Sequence, residues 1–386
     1  MYYHYEGLTT YGGKIYGLVT NETHTGFNDY VWSPSEIVEF DVDLNELRRL
    51  PLNDGTNSAK NSGILEIRSG KLYIGSTGSA LPNTAWGDVW EVDIASWKAR
   101  QLLAVNDTVI APYAGISGLA VANDGTAFLL VGGYDANWDF GSKLFVTTIT
   151  KMSAGDFGTV ISMPLEAGYS RGIAWSEFDQ TFWVMVGKDL QARSKTGALL
   201  ESFTPAQLGN NIYTISPLEG GGLFYAVSDY INGSAGIITK SGSTYTVRAN
   251  LADGFGGDAV GFAFKDHKGN ARALIREYHY GPDDSVFVYD PKDFKAPIVN
   301  VSNWGTNISA VTSLGNYLYI GAYESYNPGD PTQLSGGIKR VNMSVWPNSS
   351  TGGGGDDDGG GGCDSGLGVM ALLLLFPVVL IKLRKN

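Results

Sequence analysis

Seven times, about fifty residues apart, the chain repeats a turn followed by an apolar-aromatic strand. Few folds accommodate such a period. Gly13-Lys14-Ile15-Tyr16-Gly17-Leu18, Gly70-Lys71-Leu72-Tyr73-Ile74-Gly75 and Gly315-Asn316-Tyr317-Leu318-Tyr319-Ile320-Gly321 are the clear copies. Weaker ones start at Asp124, Asp179, Gly221 and Gly269. Most copies are preceded by another apolar run, as in 63–67, 116–121, 172–175, 212–215, 260–264 and 308–311. Often two further strands follow, and 37–41, 89–93 and 286–290 each end in an aspartate, Asp41, Asp93 or Asp290. Four short strands in a unit of about fifty residues make the blade of a β-propeller. The expected fold class is therefore all-β, a propeller of seven four-stranded blades over residues 1–348. Six or eight blades remain open if the weak copies are split differently. A large β-sandwich would leave the shared turn signature unexplained.

Composition agrees. Gly is abundant at 52, with 21 Tyr, 16 Phe and 9 Trp, a mixture suited to strands joined by tight turns. The net charge is −12. Four Asp against three cations from Ser349 onward leave −11 on residues 1–348. An acidic body without a basic stripe argues against nucleic acid as a partner. The single cysteine, Cys363, excludes an intramolecular disulfide. Met1-Tyr2-Tyr3-His4-Tyr5 has neither a basic nor an apolar leader region, so an exported reading expects a true N-terminus further upstream. Residues 1–7 are also too few to supply an outer closing strand and still reach the first inner strand.

The last part of the chain changes character. Residues 349–362, with Gly352 to Gly355, Asp356 to Asp358 and Gly359 to Gly362, form a solvated linker that buries no apolar surface. Cys363-Asp364-Ser365-Gly366 leads into Leu367 to Ile381, which carries no charge, and Lys382, Arg384 and Lys385 close the chain. As a helix the uncharged run spans about 22 Å at ~1.5 Å per residue. Snorkelling and bilayer thinning extend that toward the hydrocarbon thickness, and Pro377 is better tolerated there than in a soluble helix. The terminal cations place the C-terminus in the cytoplasm and the body outside. A buried core helix would show a polar face, and this run has none. A GPI signal would end apolar rather than in three cations.

Residues Gly359 to Cys363, Gly366, Gly368, the 370–381 span and the cations at 382, 384 and 385 together resemble the Synergist-CTERM sorting domain, whose layout is related to the GlyGly-CTERM and Myxo-CTERM signals. The resemblance covers about the last 35 residues. It implies a protein of a Gram-negative-type bacterium, exported, recognised by a membrane-bound sorting protease, cut or lipidated near Cys363 and attached at the cell surface. Asp356 to Asp358 depart from the pattern by interrupting the glycines. The tail says nothing of what the body does.

In a four-stranded blade, the loops between second and third strands share one face with the blade-to-blade connections. The former, read at 20–36, 78–88, 133–142, 228–234, 278–285 and 323–336, are long and rich in aromatic and acidic residues. They supply the candidate ligand residues Trp86, Tyr134, Asp135, Trp138, Asp139, Tyr230, Tyr278, His279, Tyr280, Asp283, Asp284, Tyr323 and Tyr326, because rigid scaffolds carry function on loops. Individually, such residues also serve as blade packing and turn formers. Asp41, Asp93 and Asp290 recur at one repeat position, which points to turn chemistry. Asp41, Asp43 and Asn45 begin like a calcium loop but lack its later ligands. Scattered histidines, the absence of a nucleophile elbow and the lone cysteine leave metal and nucleophilic catalysis without support, and no cofactor is expected.

Three functions fit. One is a surface-anchored binding module for a glycan, peptide or envelope protein. The second is an exported glycan hydrolase or lyase with carboxylates near the propeller axis. The third is a structural surface-layer component.

Overall fold

The computed structural model describes residues 2–26, 29–76, 87–105, 113–134, 140–161, 172–228, 233–255, 258–278, 285–292, 294, 297–301, 307–323 and 337–346. Their strands form seven antiparallel sheets in chain order. The inner strands are Tyr2–Tyr11, Ser62–Arg68, Tyr113–Val121, Ile173–Ser176, Ile212–Pro217, Asp258–Lys265 and Asn307–Leu314. Each touches the inner strand of the next blade, and the last touches the first, so the seven close around an axis. The fold is a seven-bladed β-propeller. The strands expected from the repeat become the first three of each blade, as Ser62–Arg68, Lys71–Ser76 and Asp88–Asp93 do in blade two, where Lys98–Ala104 is the outer strand.

Burial explains why the second strands read as continuous apolar runs rather than alternating ones. Thr181–Val186 and Leu223–Ser228 are buried at every residue, because each lies mid-sheet with blades on both faces. Seven apolar clusters result, one per blade interface; Trp183, Met185, Leu223 and Tyr225 meet between blades four and five. At the crowded axis small residues admit the neighbour. A Cβ on Gly7 would lie 2.7 Å from the Leu65 Cβ, and one on Gly261 would lie 2.4 Å from the Phe224 ring.

The recurrent aspartates do the expected turn work. Asp41 accepts from the amides of Asp43 and Asn45, Asp93 from Ser96, and Asp290 from Lys292. Side-chain and amide hydrogen bonds from Asn45 help hold the Asp41 carboxyl below its ordinary range, and those from Ser96 do so for Asp93. Asp124 is held down to about 2, first by Lys195 of the neighbouring blade and then by the Thr126 amide.

Two features depart from expectation. The segment read as a loop over 20–36 is largely a hairpin, Lys14–Gly26 pairing with Asp29–Trp32, so blade one has five strands. The second strand simply continues past the sheet, a continuation that the Thr-rich sequence permits. Blade seven has three strands among the described residues: Asn307–Leu314, Tyr317–Tyr323 and Ile338–Asn342. Side chains join it to blade one. The Ser309 hydroxyl donates to the Tyr5 carbonyl, the Tyr319 hydroxyl donates to the Val42 carbonyl at 2.8 Å, and Arg340 Nη1 donates to the same carbonyl at 2.9 Å and pairs with Asp43. In the next interface Arg48 of the outer strand reaches the equivalent carbonyl, Ile94, and covers the Trp97 ring at 3.9 Å. Arg340, on a third strand, therefore takes the bridging part that an outer-strand arginine plays in blade one.

Candidate binding face and channel mouth

The two faces of the ring are built differently. On one face the first-to-second strand turns are short, and so are the third-to-outer turns of blades one, two, four and five; those of blades three and six run over 149–158, with a short helix Ile149–Ser153, and 290–298. Gly70, at φ 76, closes one of the short turns, in a region where a Cβ would be strained. The other face receives the second-to-third and blade-to-blade connections. Three of the predicted ligand residues end second strands there: Tyr134 closes Thr126–Tyr134, Tyr278 closes Ala271–Tyr278 and Tyr323 closes Tyr317–Tyr323. Their backbones pair with Tyr113, Asp258 and Asn307 at the start of the inner strands. Trp86, Asp135, Trp138, Asp139, Tyr230, His279, Tyr280, Asp283, Asp284 and Tyr326 lie outside the described residues, as do Cys363 and the whole tail. Blade four, which supplied no candidate, has only Gly187 and Lys188 between its second and third strands.

The loop face also surrounds one end of the axis, where the structure adds residues that sequence reasoning missed. Five of the seven inner strands carry a register shift in their middle or nearer the loop face, each leaving one extra residue: Glu6, Gly63, Ser117, Tyr213 and Ser309. A bulge turns a side chain out of the ladder. Flanking residues such as Tyr5, Ile116, Ile212 and Ile308 are buried, whereas the extra residues are half-buried or exposed, Tyr213 to 36%. The loop-face end of the axis is thus surrounded by inner-strand residues that stand outside the ladder register. Ser117 and Ser309 return their hydroxyls to backbone carbonyls; Glu6 and Tyr213, each also engaged within the protein, are the acidic and aromatic members. The signal was present in the sequence as a polar or small residue breaking an apolar alternation, as in Tyr5-Glu6-Gly7 and Ile308-Ser309-Ala310.

One tier beyond the bulge in blade two, Glu66 pairs with Arg68 at 3.0 Å, each side chain 22% exposed. Surrounding protein pushes the Glu66 carboxyl above its ordinary pKa, against the pull of Arg68. Arg68 also donates to the Val121 and Ile67 carbonyls. The other described inner-strand cation of the Lys/Arg type, Lys265, pairs with Glu219. Among the described inner-strand residues, both Lys/Arg cations are thus already paired with carboxylates. Among the described residues no group of three His, Cys, Asp or Glu side chains is placed to hold a metal ion. No described helix is long and apolar enough to cross a membrane.

No family model matches the chain, and no curated protein does. Solved structures do. The propeller domain of the Trilobed protease from Pyrococcus furiosus, described as having an open velcro topology, is 12% identical at a TM-score of 0.50 over 90% of this chain and 100% of that one. A puromycin-hydrolyzing peptidase from Mycobacterium tuberculosis is 12% identical at 0.54, over 89% and 52%. The WD40 repeats of RRP9 are 11% identical at 0.52, over 83% and 87%. This chain spans about half the length of that peptidase and of the Pyrococcus horikoshii acylaminoacyl peptidase, of which 51% is covered. At such identities the likeness is one of fold.

Proposed function

We propose that the chain is a cell-surface binding module, held by its C-terminal segment, that takes a glycan or envelope polypeptide on the loop face above the channel mouth. The observation that carries this reading is the asymmetry of the two faces. Short turns that satisfy their own polar groups predominate on one face, and the other receives the second-to-third and blade-to-blade connections around the end of the axis where five inner strands bulge. The tripartite tail supports export and anchoring. A thermal-shift screen of residues 1–348, which hold all seven blades, against polysaccharides and peptidoglycan fragments tests it. A ligand at a hundred times its Kd stabilises the native state by about 2.7 kcal/mol. Trp138→Ala with Asp139→Ala should abolish that shift and leave the unliganded melting temperature in place. A full shift in the double variant would move the site off the loop face. Surface labelling of intact cells, lost on deleting residues 363–386, tests the anchoring.

A second reading is an exported glycan hydrolase or lyase. Its support is the placement of Glu6 and Glu66 on adjacent inner strands, with the Glu66 carboxyl held above its ordinary range. It requires an activity that Glu66→Gln and Glu6→Gln each abolish without loss of ligand binding.

A further inference from the structure

The described chain leaves the ring at a defined place. The third strand of blade seven, Ile338–Asn342, runs from the loop face to the face of the short turns, and a single 3-10 turn, Met343–Val345, follows it. Met343 is fully buried, and its amide donates at 2.8 Å to the Asn316 carbonyl in the first-to-second turn of the same blade. Trp346 then meets the Phe264 ring edge-on at 6.1 Å, near the short-turn end of the inner strand of blade six. Residues 347–366 separate Trp346 from the uncharged run that starts at Leu367. A Gly-rich chain of about twenty residues has an r.m.s. span of about 25 Å. The loop face is further from this exit by the length of a strand such as Tyr2–Tyr11, about 33 Å for its 10 residues. A segment 367–381 set in a bilayer therefore tethers the body by its short-turn face.

That face carries apolar groups at its turn tips. The Tyr11 ring, 46% exposed, lies over the first-to-second turn of blade two, where a Cβ on Gly70 would come within 3.1 Å of its hydroxyl. Phe178, 69% exposed, lies in the same way over the turn of blade five, where a Cβ on Gly221 would come within 2.6 Å of its ring. Tyr11 ends an inner strand and Phe178 follows one, so both stand next to the axis. Each is seated on a glycine of the next blade at positive φ. Val42 and Val345, 40% and 48% exposed, stand at further turns of the same face. Scattered exposed apolar residues are ordinary. These share the face from which the chain leaves, and aromatic rings are favoured in a headgroup layer. Charge does not oppose the contact. A body of net −11 would be repelled by an anionic surface if its charge were spread evenly. The described first-to-second and third-to-outer turns, with the strand residue at either side, carry eleven Asp or Glu and ten Lys or Arg, so nearly all of the acidic excess lies off this face.

We propose that the face of the short turns rests on the lipid surface that holds the C-terminal segment, with Tyr11 and Phe178 in its headgroup layer and the loop face turned away from it. The proposal rests on the anchoring reading above. A tether of about 25 Å gives the contact an effective concentration in the millimolar range, so an interaction too weak to hold a free protein suffices to orient a tethered one.

The test uses the full chain incorporated in vesicles of phosphatidylethanolamine and phosphatidylglycerol that contain a lipid with a diazirine in its headgroup region. After flotation and irradiation, lipid-labelled positions are mapped by mass spectrometry. The turn 176–181 should be labelled about threefold or more above 186–189, the loop-face turn of the same blade, because the strand Thr181–Val186 sets the two levels about 20 Å apart. Tyr11→Ser combined with Phe178→Ser should lower labelling of the neighbouring short turn, 193–199, about twofold, since the rings supply the apolar part of the contact. Equal labelling of the two turns of blade four, stronger labelling of 186–189, or labelling of 193–199 that the double variant leaves unchanged would overturn the proposal. So would a chain that floats with the vesicles and is labelled at neither turn, which would give the face to water or to the chain's own tail. A chain that does not float overturns the anchoring reading, and the orientation with it.

Discussion

Trp183→Ala should cost about 3–5 kcal/mol of unfolding free energy, a cost large enough to show as a clear fall in the urea midpoint with little change in slope. The indole is fully buried between blades four and five. Tyr245 meets it edge-on with centroids 5.7 Å apart, and Phe203 lies at 6.1 Å and also meets Tyr245 at 5.8 Å. Removing the middle ring leaves a cavity that three strands and two blades would have to collapse to fill, and rigid strands do so poorly. Leu199→Ala on the outer strand of the same blade, where the side chain is 52% exposed, should stay within about 0.5 kcal/mol. Equal effects for the two variants would mean that blades four and five do not pack as described.

Arg272→Ala should be comparably damaging, by a different route. Arg272 Nη2 meets Asp266 at 2.7 Å with both side chains 5% exposed, and Nη1 reaches Asp290 at 3.2 Å. One guanidinium thus ties together two turns of blade six. Burial by itself would raise the Asp266 pKa. The Asn270 amide and side chain, the Lys268 amide and Arg272 outweigh it and hold the carboxyl below its ordinary range. A folded pKa below the unfolded value of about 3.9 contributes stability that is present above that pH and is lost as pH falls through the folded value. Removing Arg272 strands a buried carboxylate, at about 3–5 kcal/mol at neutral pH. The difference from the parent protein should narrow below about pH 4, as Asp266 protonates. Guanidinium-chloride unfolding at pH 7 and pH 3.5 measures both. A gap that stays constant between the two pH values would place the loss in packing and remove Asp266 from the account.

Much of the fold was legible because its signals are local. The turn-strand copies at Gly13, Gly70 and Gly315 mark second strands, and the aspartates at 41, 93 and 290 mark the turns that leave the third. Each is set by residues within a few positions, through glycine's access to positive φ and the reach of a carboxylate to nearby amides. The candidate site was legible only as a face. Tyr134, Tyr278 and Tyr323 do end second strands on it, but Glu6, Tyr213 and Glu66 went unnoticed. An inner strand looks alike in sequence whether its odd residue is paired or bulged.

The sequence by itself determined that the body is an acidic all-β repeat of units of about fifty residues, with seven units favoured, and that a Gly/Asp linker and an uncharged run follow it. Every one of these is a property of composition or of spacing under about fifty residues. Only the tertiary structure decided how the ring closes. That blade seven meets blade one through Arg340, Tyr319 and Ser309 depends on residues some three hundred positions apart. Their proximity arises because seven twisted sheets packed face to face return the last inner strand to the first, and no local pattern in the chain records that return.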